Sequence, residues 1–272
     1  RIFGYIGNPF GAYLLPGEPQ ENFYKAFHEQ LANDARNRFA CISPYLSALI
    51  YWHSGIRVPV VQPLGLYTGA SYQPKAFAQI LVTKSMFVPI DLAMVLNDFV
   101  AALGRVEEKA FVPLKLRESN HTFFVNLKQL QDRSWSNWAR HKAAVFLPYD
   151  PQQLVFYELY SIGVPLLLPD DVLLPFFIRL GYTNLQEFRY QSPAWKVPEE
   201  ELRYDWSEHA PIHELRWWSS LTDFARSPHL LRWSSFPELL YKVLRSDLEQ
   251  ISNRMRKETQ VRLLRSVDFW RA

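Results

Sequence analysis

Ala143-Ala144-Val145-Phe146-Leu147-Pro148-Tyr149-Asp150-Pro151-Gln152-Gln153-Leu154-Val155-Phe156-Tyr157-Glu158-Leu159-Tyr160-Ser161-Ile162-Gly163-Val164-Pro165-Leu166-Leu167-Leu168 is the stretch whose reading decides the fold. Two short apolar runs, Ala143–Leu147 and Pro165–Leu168, read as strands, and the longer Gln152–Ile162 between them reads as a helix. A strand, a helix and a second strand at this spacing imply a parallel crossover, so the unit belongs to an α/β sheet covered on both faces. In such sheets ligands settle at the carboxyl ends of the strands, where helix N-termini present unpaired N–H groups and a partial positive charge. Tyr149-Asp150 occupies that edge.

Working outward, the same alternation recurs. Upstream, helices are expected over Glu21–Ala35 and Pro44–His53, with strands at Phe39–Ser43 and Val58–Gln62. A polar, turn-forming stretch from Leu64 to Pro74 marks a lobe boundary. Beyond it come a strand at Gln79–Lys84 and a helix from Asp91 to Leu103, stopped by Gly104. Ala110–Leu116 reads as a further strand and Leu127–His141 as a helix. After about Gly181 the pattern changes to loops rich in Pro, Trp and charge, followed by helices at Pro237–Leu244 and Asp247–Phe269. In the last of these Leu248, Ile251, Met255, Val261, Leu264 and Val267 form the face expected to pack on the body, with Arg and Lys between them.

Composition removes several function classes. With 272 residues and 48% hydrophobic residues the chain can bury a full core. The runs Val164–Leu168 and Val172–Ile178 stop far short of the roughly 20 apolar residues of a membrane span. The opening from Arg1 has neither initiator Met nor signal-peptide order, so the chain reads as a fragment or a processed product. Compartment therefore stays open between a Golgi or endoplasmic-reticulum lumen and the cytoplasm, and membrane association is possible through parts outside this chain, with a membrane-surface role for the last helix as the minority alternative. Thirty basic residues against 27 acidic ones lie scattered, without the basic stripe of nucleic-acid binders. Cys41 is the single cysteine, which rules out an intramolecular disulfide and a multi-thiolate zinc site.

The candidate chemistry sits in the decisive stretch. Asp150 can cap the helix or face a ligand, and Pro151 suits a first helical position. Glu158 stands among apolar neighbours, so its carboxylate needs a ligand hydroxyl, an Arg or backbone N–H groups. Asp170-Asp171 reads as a strand end rather than a metal site, and His209 and His213 flank Pro211, which argues against a helical ligand pair. His28 is a candidate general base or a capping side chain. Gly4-x-x-Gly7-Asn8-Pro9 is an acceptor-site loop or an ordinary turn. No nucleophile elbow or phosphate-binding Walker loop is present.

Asp150-x7-Glu158 followed by Gly163-Val164-Pro165 resembles the C-terminal lobe of GT-B glycosyltransferases. Phe39–Tyr45 with Val60-Val61-Gln62-Pro63 is similar to the end of the N-terminal lobe, and Trp218-x4-Asp223 with the last helix is similar to the tail crossing the lobes. The resemblance covers most of residues 36–272. It implies Rossmann-like parallel sheets in a GT-B arrangement with C-terminal helices packing across the lobes. The implied division is a partial N-terminal acceptor lobe over 1–74, a nucleotide-sugar-binding lobe over 75–190, and a loop and helical extension over 191–272. Function would be transfer of a sugar from a nucleotide-sugar donor to a glycan or other hydroxyl acceptor, with no further cofactor and no metal. Glu158, Asp150, Tyr149 and Lys84 would lie on the donor side, Glu158 at the ribose and Lys84 at the diphosphate. Gly7, Asn8 and His28 would lie on the acceptor side. Asp150 stands where the family commonly has Glu, which leaves the stereochemical outcome open. The alternatives are a catalytically inert GT-B-like domain for carbohydrate binding or assembly, and a nucleotide-sugar epimerase or sugar-phosphate enzyme on the same scaffold.

Overall fold

The computed structural model of the chain describes residues 3–7, 18–33, 36–74, 76–83, 91–106, 123–182 and 211–271. In chain order these hold β1 (Phe3–Ile6), α1 (Glu18–Asn33), β2 (Arg38–Cys41), α2 (Pro44–Ser54), β3 (Ile80–Val82), α3 (Leu92–Val106), β4 (Phe124–Asn126) and α4 (Trp135–Trp138). Then follow β5 (Ala143–Val145), α5 (Leu154–Ile162), β6 (Leu166–Pro169), α6 (Leu174–Tyr182), α7 (Ile212–Ser220), α8 (Asp223–Arg226), β7 (Leu231–Trp233), α9 (Phe236–Arg245) and α10 (Leu248–Arg271).

Every described strand pairing is parallel. β1 and β2 form a small sheet, which Val60 extends by bridging to Cys41. The larger sheet runs β4-β3-β5-β6-β7. The residues of β3, β5 and β6 are all buried, as expected of strands covered on both faces. Leu81, Ala144, Leu166 and Leu168 point to one face, where α5, α6 and α7 pack. Ile80, Val82, Ala143, Val145 and Leu167 point to the other, against α3 and α9. The first of these cores also takes in Ile6, Cys41, Tyr45 and Leu46 of the small sheet and α2, so α5 is enclosed from two sides.

α5 ends at Gly163, whose φ of 85° lets its N–H reach the carbonyls of Leu159 and Tyr160. A Cβ there would lie 2.9 Å from both Arg256 Cγ and Ser252 Oγ, so the glycine also lets α10 approach. α10 presents Leu248, Ser252, Met255, Thr259 and Arg262 to the interior. The expected apolar face holds at Leu248 and Met255 and is corrected further along, where Leu264 is 66% exposed and Val261 40% exposed while Thr259 and Arg262 face inward.

Other expectations are also revised. The helix expected over Leu127–His141 is instead a 3-10 turn at Leu127–Gln129 and the four-residue α4. Asn126, Asp132 and Ser134 accept from the backbone N–H groups of Lys128, Ser134 and Asn137, and such local bonds compete with a continuous helix. Val58–Gln62 makes one bridge rather than a strand, since Pro59 and Pro63 have no N–H to give a ladder. α3 continues through Gly104 to Val106. α7, α8 and β7 occupy part of the region expected to be loops. The strand expected at Ala110–Leu116 lies outside the described residues.

Candidate functional site

The order β4-β3-β5-β6-β7 reverses direction between β3 and β5, because α3 leads the chain one way across the sheet and α5 leads it the other. The crevice outside the carboxyl ends of those two strands is where doubly wound sheets bind ligands. Thr83 closes the end of β3, with its Oγ1 accepting from Leu147 N at 3.1 Å. Beside it Asp91 caps α3 by accepting from Ala93 N, and it also accepts from the amides of Asn126 and Gln129. Asp170 likewise accepts from Val172 and Leu173 N–H groups before α6, and Ser235 caps α9.

α5 is different. Its N-cap position is Gln153, which makes no side-chain cap bond, and its first turn holds no acidic residue. No side chain caps the positive end of α5, whereas Asp91 and Ser235 cap α3 and α9. This overturns the expected capping by Asp150 and Pro151, because the helix starts at Leu154 and both residues stay in the preceding loop. Asp150 Oδ1 accepts from Gln152 N at 2.8 Å, within the loop itself. Burial pushes the Asp150 carboxyl up to about 6, only partly opposed by that bond. Tyr149 is half-buried and its phenol is raised by burial and by the neighbouring Asp150. Gln153, with its amide turned to suit its surroundings, accepts from the Tyr149 and Asp150 N–H groups at 2.6 and 3.0 Å.

Glu158 is half-exposed rather than buried, and its Oε1 accepts from the Tyr67 hydroxyl. Tyr67, 62% exposed, lies in the 3-10 turn Leu66–Thr68 and meets Trp135 edge to face at 5.3 Å. Gly65 fits this turn onto α5: at φ 57° it sits where a Cβ would come within 2.5 Å of Ser161 Oγ and 3.1 Å of Glu158 Cα.

The small sheet brings its own carboxyl edge to the same place. Ser43, after β2, caps α2 by accepting from Leu46 N and also accepts from the Gln152 amide at 2.6 Å. Gly7, after β1, is exposed at that edge with Ile42 beside it. Beneath the contact lies a buried carboxylate, Asp223, 1% exposed, which accepts from the Tyr157 hydroxyl and the Gln62 amide. Burial raises Asp223 to about 6 against the opposing pull of these bonds and of Arg262 and Arg226. His28 is not part of this edge. Its Nδ1 lies 3.0 Å from the carbonyl of Ser54, at the far end of α2. Lys84 and Asn8 lie outside the described residues.

Of the candidates read from sequence, Asp150 and Tyr149 share the loop before α5, Gly7 lies at the carboxyl edge of the small sheet, Glu158 stands a helical turn along α5, and His28 lies elsewhere. Sequence reasoning does not pick out Thr83, Asn126, Gln129 or Tyr67 as site residues; Asp91 leaves a signal as an acidic residue opening a helix, and Asp223 only as part of the Trp218-x4-Asp223 resemblance. Among the described residues no group of three or more His, Cys, Asp or Glu could hold a metal ion, and no helix is long and apolar enough to cross a membrane. No protein-family model, curated protein or solved structure matches the chain. The class that the fold defines is an α/β protein with parallel-strand sheets, compatible with a Rossmann-like fold.

Proposed function

We propose that the chain is a GT-B-type glycosyltransferase that moves a sugar from a nucleotide-sugar donor to a hydroxyl acceptor. The observation that carries this reading is the N-terminus of α5, without a side-chain cap, at the switch point of the larger sheet. A departing nucleoside diphosphate needs its growing charge stabilised, and oriented N–H groups at a helix start supply that without reorganisation. The raised pKa of Asp150, about 6, limits its repulsion of such an anion only below about pH 6. In this reading Asp150 and Tyr149 border the donor sugar, Glu158 takes ribose hydroxyls, and Lys84 adds charge to the diphosphate. The GT-B arrangement is supported by the Gln152 to Ser43 bond, which sets the carboxyl edges of the two sheets against each other. Gly7 and Asn8 would then line the acceptor side; His28 has no part in it.

A second reading is favoured by a specific observation. Tyr67 already fills one oxygen of Glu158, and Gln153 already takes the Tyr149 and Asp150 N–H groups. These are the contacts expected of an inert GT-B-like domain used for carbohydrate binding or assembly.

Titration calorimetry with uridine, guanosine and cytidine diphosphates distinguishes the two. The transferase reading expects saturable binding of at least one, weakened about tenfold in Glu158→Ala by loss of a charged hydrogen bond. Absence of binding by all three supports the inert domain. Binding that Glu158→Ala leaves unchanged removes the ribose assignment alone.

A further inference from the structure

Two aliphatic side chains of α10 point away from the body on which the sequence expects them to pack. Leu264 and Val261 are exposed, while Met255, Thr259 and Arg262 take the inward face. A single exposed aliphatic is ordinary, and the neighbours of these two are what give them meaning.

Arg254, Lys257, Val261, Leu264 and Arg265 follow one another at helical spacing and are all exposed, with Arg271 two turns beyond Leu264. Asp268 is the one acid in the same stripe, so four cations stand against one anion. From Arg254 to Arg271 the stripe runs for about 26 Å. The remaining arginines of α10 are turned to other work: Arg262 donates to Glu258 and Ser227, and Arg256 to Ser71 and Asn253. α10 therefore sorts its cations, one set fastening the helix and the other projecting outward around two aliphatic side chains.

Charge selects what can cover this face. A second copy of the chain would set one row of cations against another. An anionic bilayer complements both parts of the stripe. Aliphatic side chains of a helix lying flat enter the boundary between headgroups and acyl chains, while Lys and Arg stems reach back to the phosphates. We propose that the outward face of α10 docks the chain on an anionic lipid surface, with Arg254, Lys257, Arg265 and Arg271 at the headgroups and Val261 and Leu264 in the acyl boundary. This contact draws nothing from the transferase reading, and either can hold without the other.

The test is co-sedimentation of the full chain with vesicles of phosphatidylcholine alone and of phosphatidylcholine with about 30% phosphatidylserine. Binding to the anionic vesicles is expected, falling as salt is raised, with little binding to the neutral ones. Joint replacement of Lys257→Glu and Arg265→Glu is expected to weaken it by at least about thirtyfold, since two attractions are lost and two repulsions added. Leu264→Gln keeps helix propensity and is expected to weaken it about fivefold through lost aliphatic burial. All three side chains are exposed, so these variants keep the fold, which far-ultraviolet circular dichroism checks. Three results overturn the proposal. The first is no more sedimentation with anionic vesicles than with neutral ones, and the second is binding unchanged by the charge reversal. The third is binding lost on charge reversal but untouched by Leu264→Gln, which assigns the stripe to a soluble acidic partner instead.

Discussion

Asp223→Asn separates the energetics of the buried junction from those of the rest of the chain. The Asp223 carboxyl rises from 3.8 to about 6 on folding, a difference of about 3 kcal/mol between its protonated and ionised forms. Because the folded chain holds this proton more tightly, stability from this group is fully present below about pH 4. It is lost as pH rises through about 6, and the curve then levels. Asparagine mimics the protonated acid but faces two donors, Tyr157 Oη and Gln62 Nε2, with only one acceptor. One unsatisfied buried donor costs about 1–3 kcal/mol at every pH. The variant is therefore less stable than wild type at about pH 4 and recovers about 3 kcal/mol relative to it by about pH 8. Asp150 titrates in the same sense but is present in both chains and cancels. Urea unfolding of the two proteins across this range reads the gap directly. A gap that stays constant with pH, or widens as pH rises, would refute the argument.

Two more predictions concern the pieces that hold the candidate site. Gly65→Ala places a methyl group 2.5 Å from Ser161 Oγ at a positive φ and should cost about 1–3 kcal/mol, seen as a lower urea midpoint. Ser43→Ala removes both the cap of α2 and the acceptor of the Gln152 amide, for a loss of about 1–2 kcal/mol by the same measurement, whereas Ser43→Thr should retain most of it.

The decisive stretch was legible because its signals agree. Two short apolar runs flank a segment of helical length, and both runs became buried central strands. β7 was not legible: Leu231-Arg232-Trp233 is three residues with an arginine in the middle, and its strand character comes from pairing with β6, 64 residues earlier for Leu231 and Leu167. Glu158 was misjudged because apolar neighbours in sequence suggested burial. Helical geometry instead places Leu154, Glu158 and Ser161 along one stripe, the side of α5 that the cores leave open. Asp223 could not have been foreseen as a junction, since its partners at Gln62 and Tyr157 are 161 and 66 residues away.

α10 has a mechanical consequence. Its 24 residues span about 36 Å. It is fastened near its start by Leu248 in the core beside α9, along its length by Arg262 to Ser227 and Arg256 to Ser71, and at its end by Arg38 to the Phe269 carbonyl. A rod pinned at successive points to both sheets acts as a strut. Any separation of Ser43 from Gln152 must strain these fastenings together with the packing of Met255 in the shared core and of Trp270 against Phe3 and Tyr5.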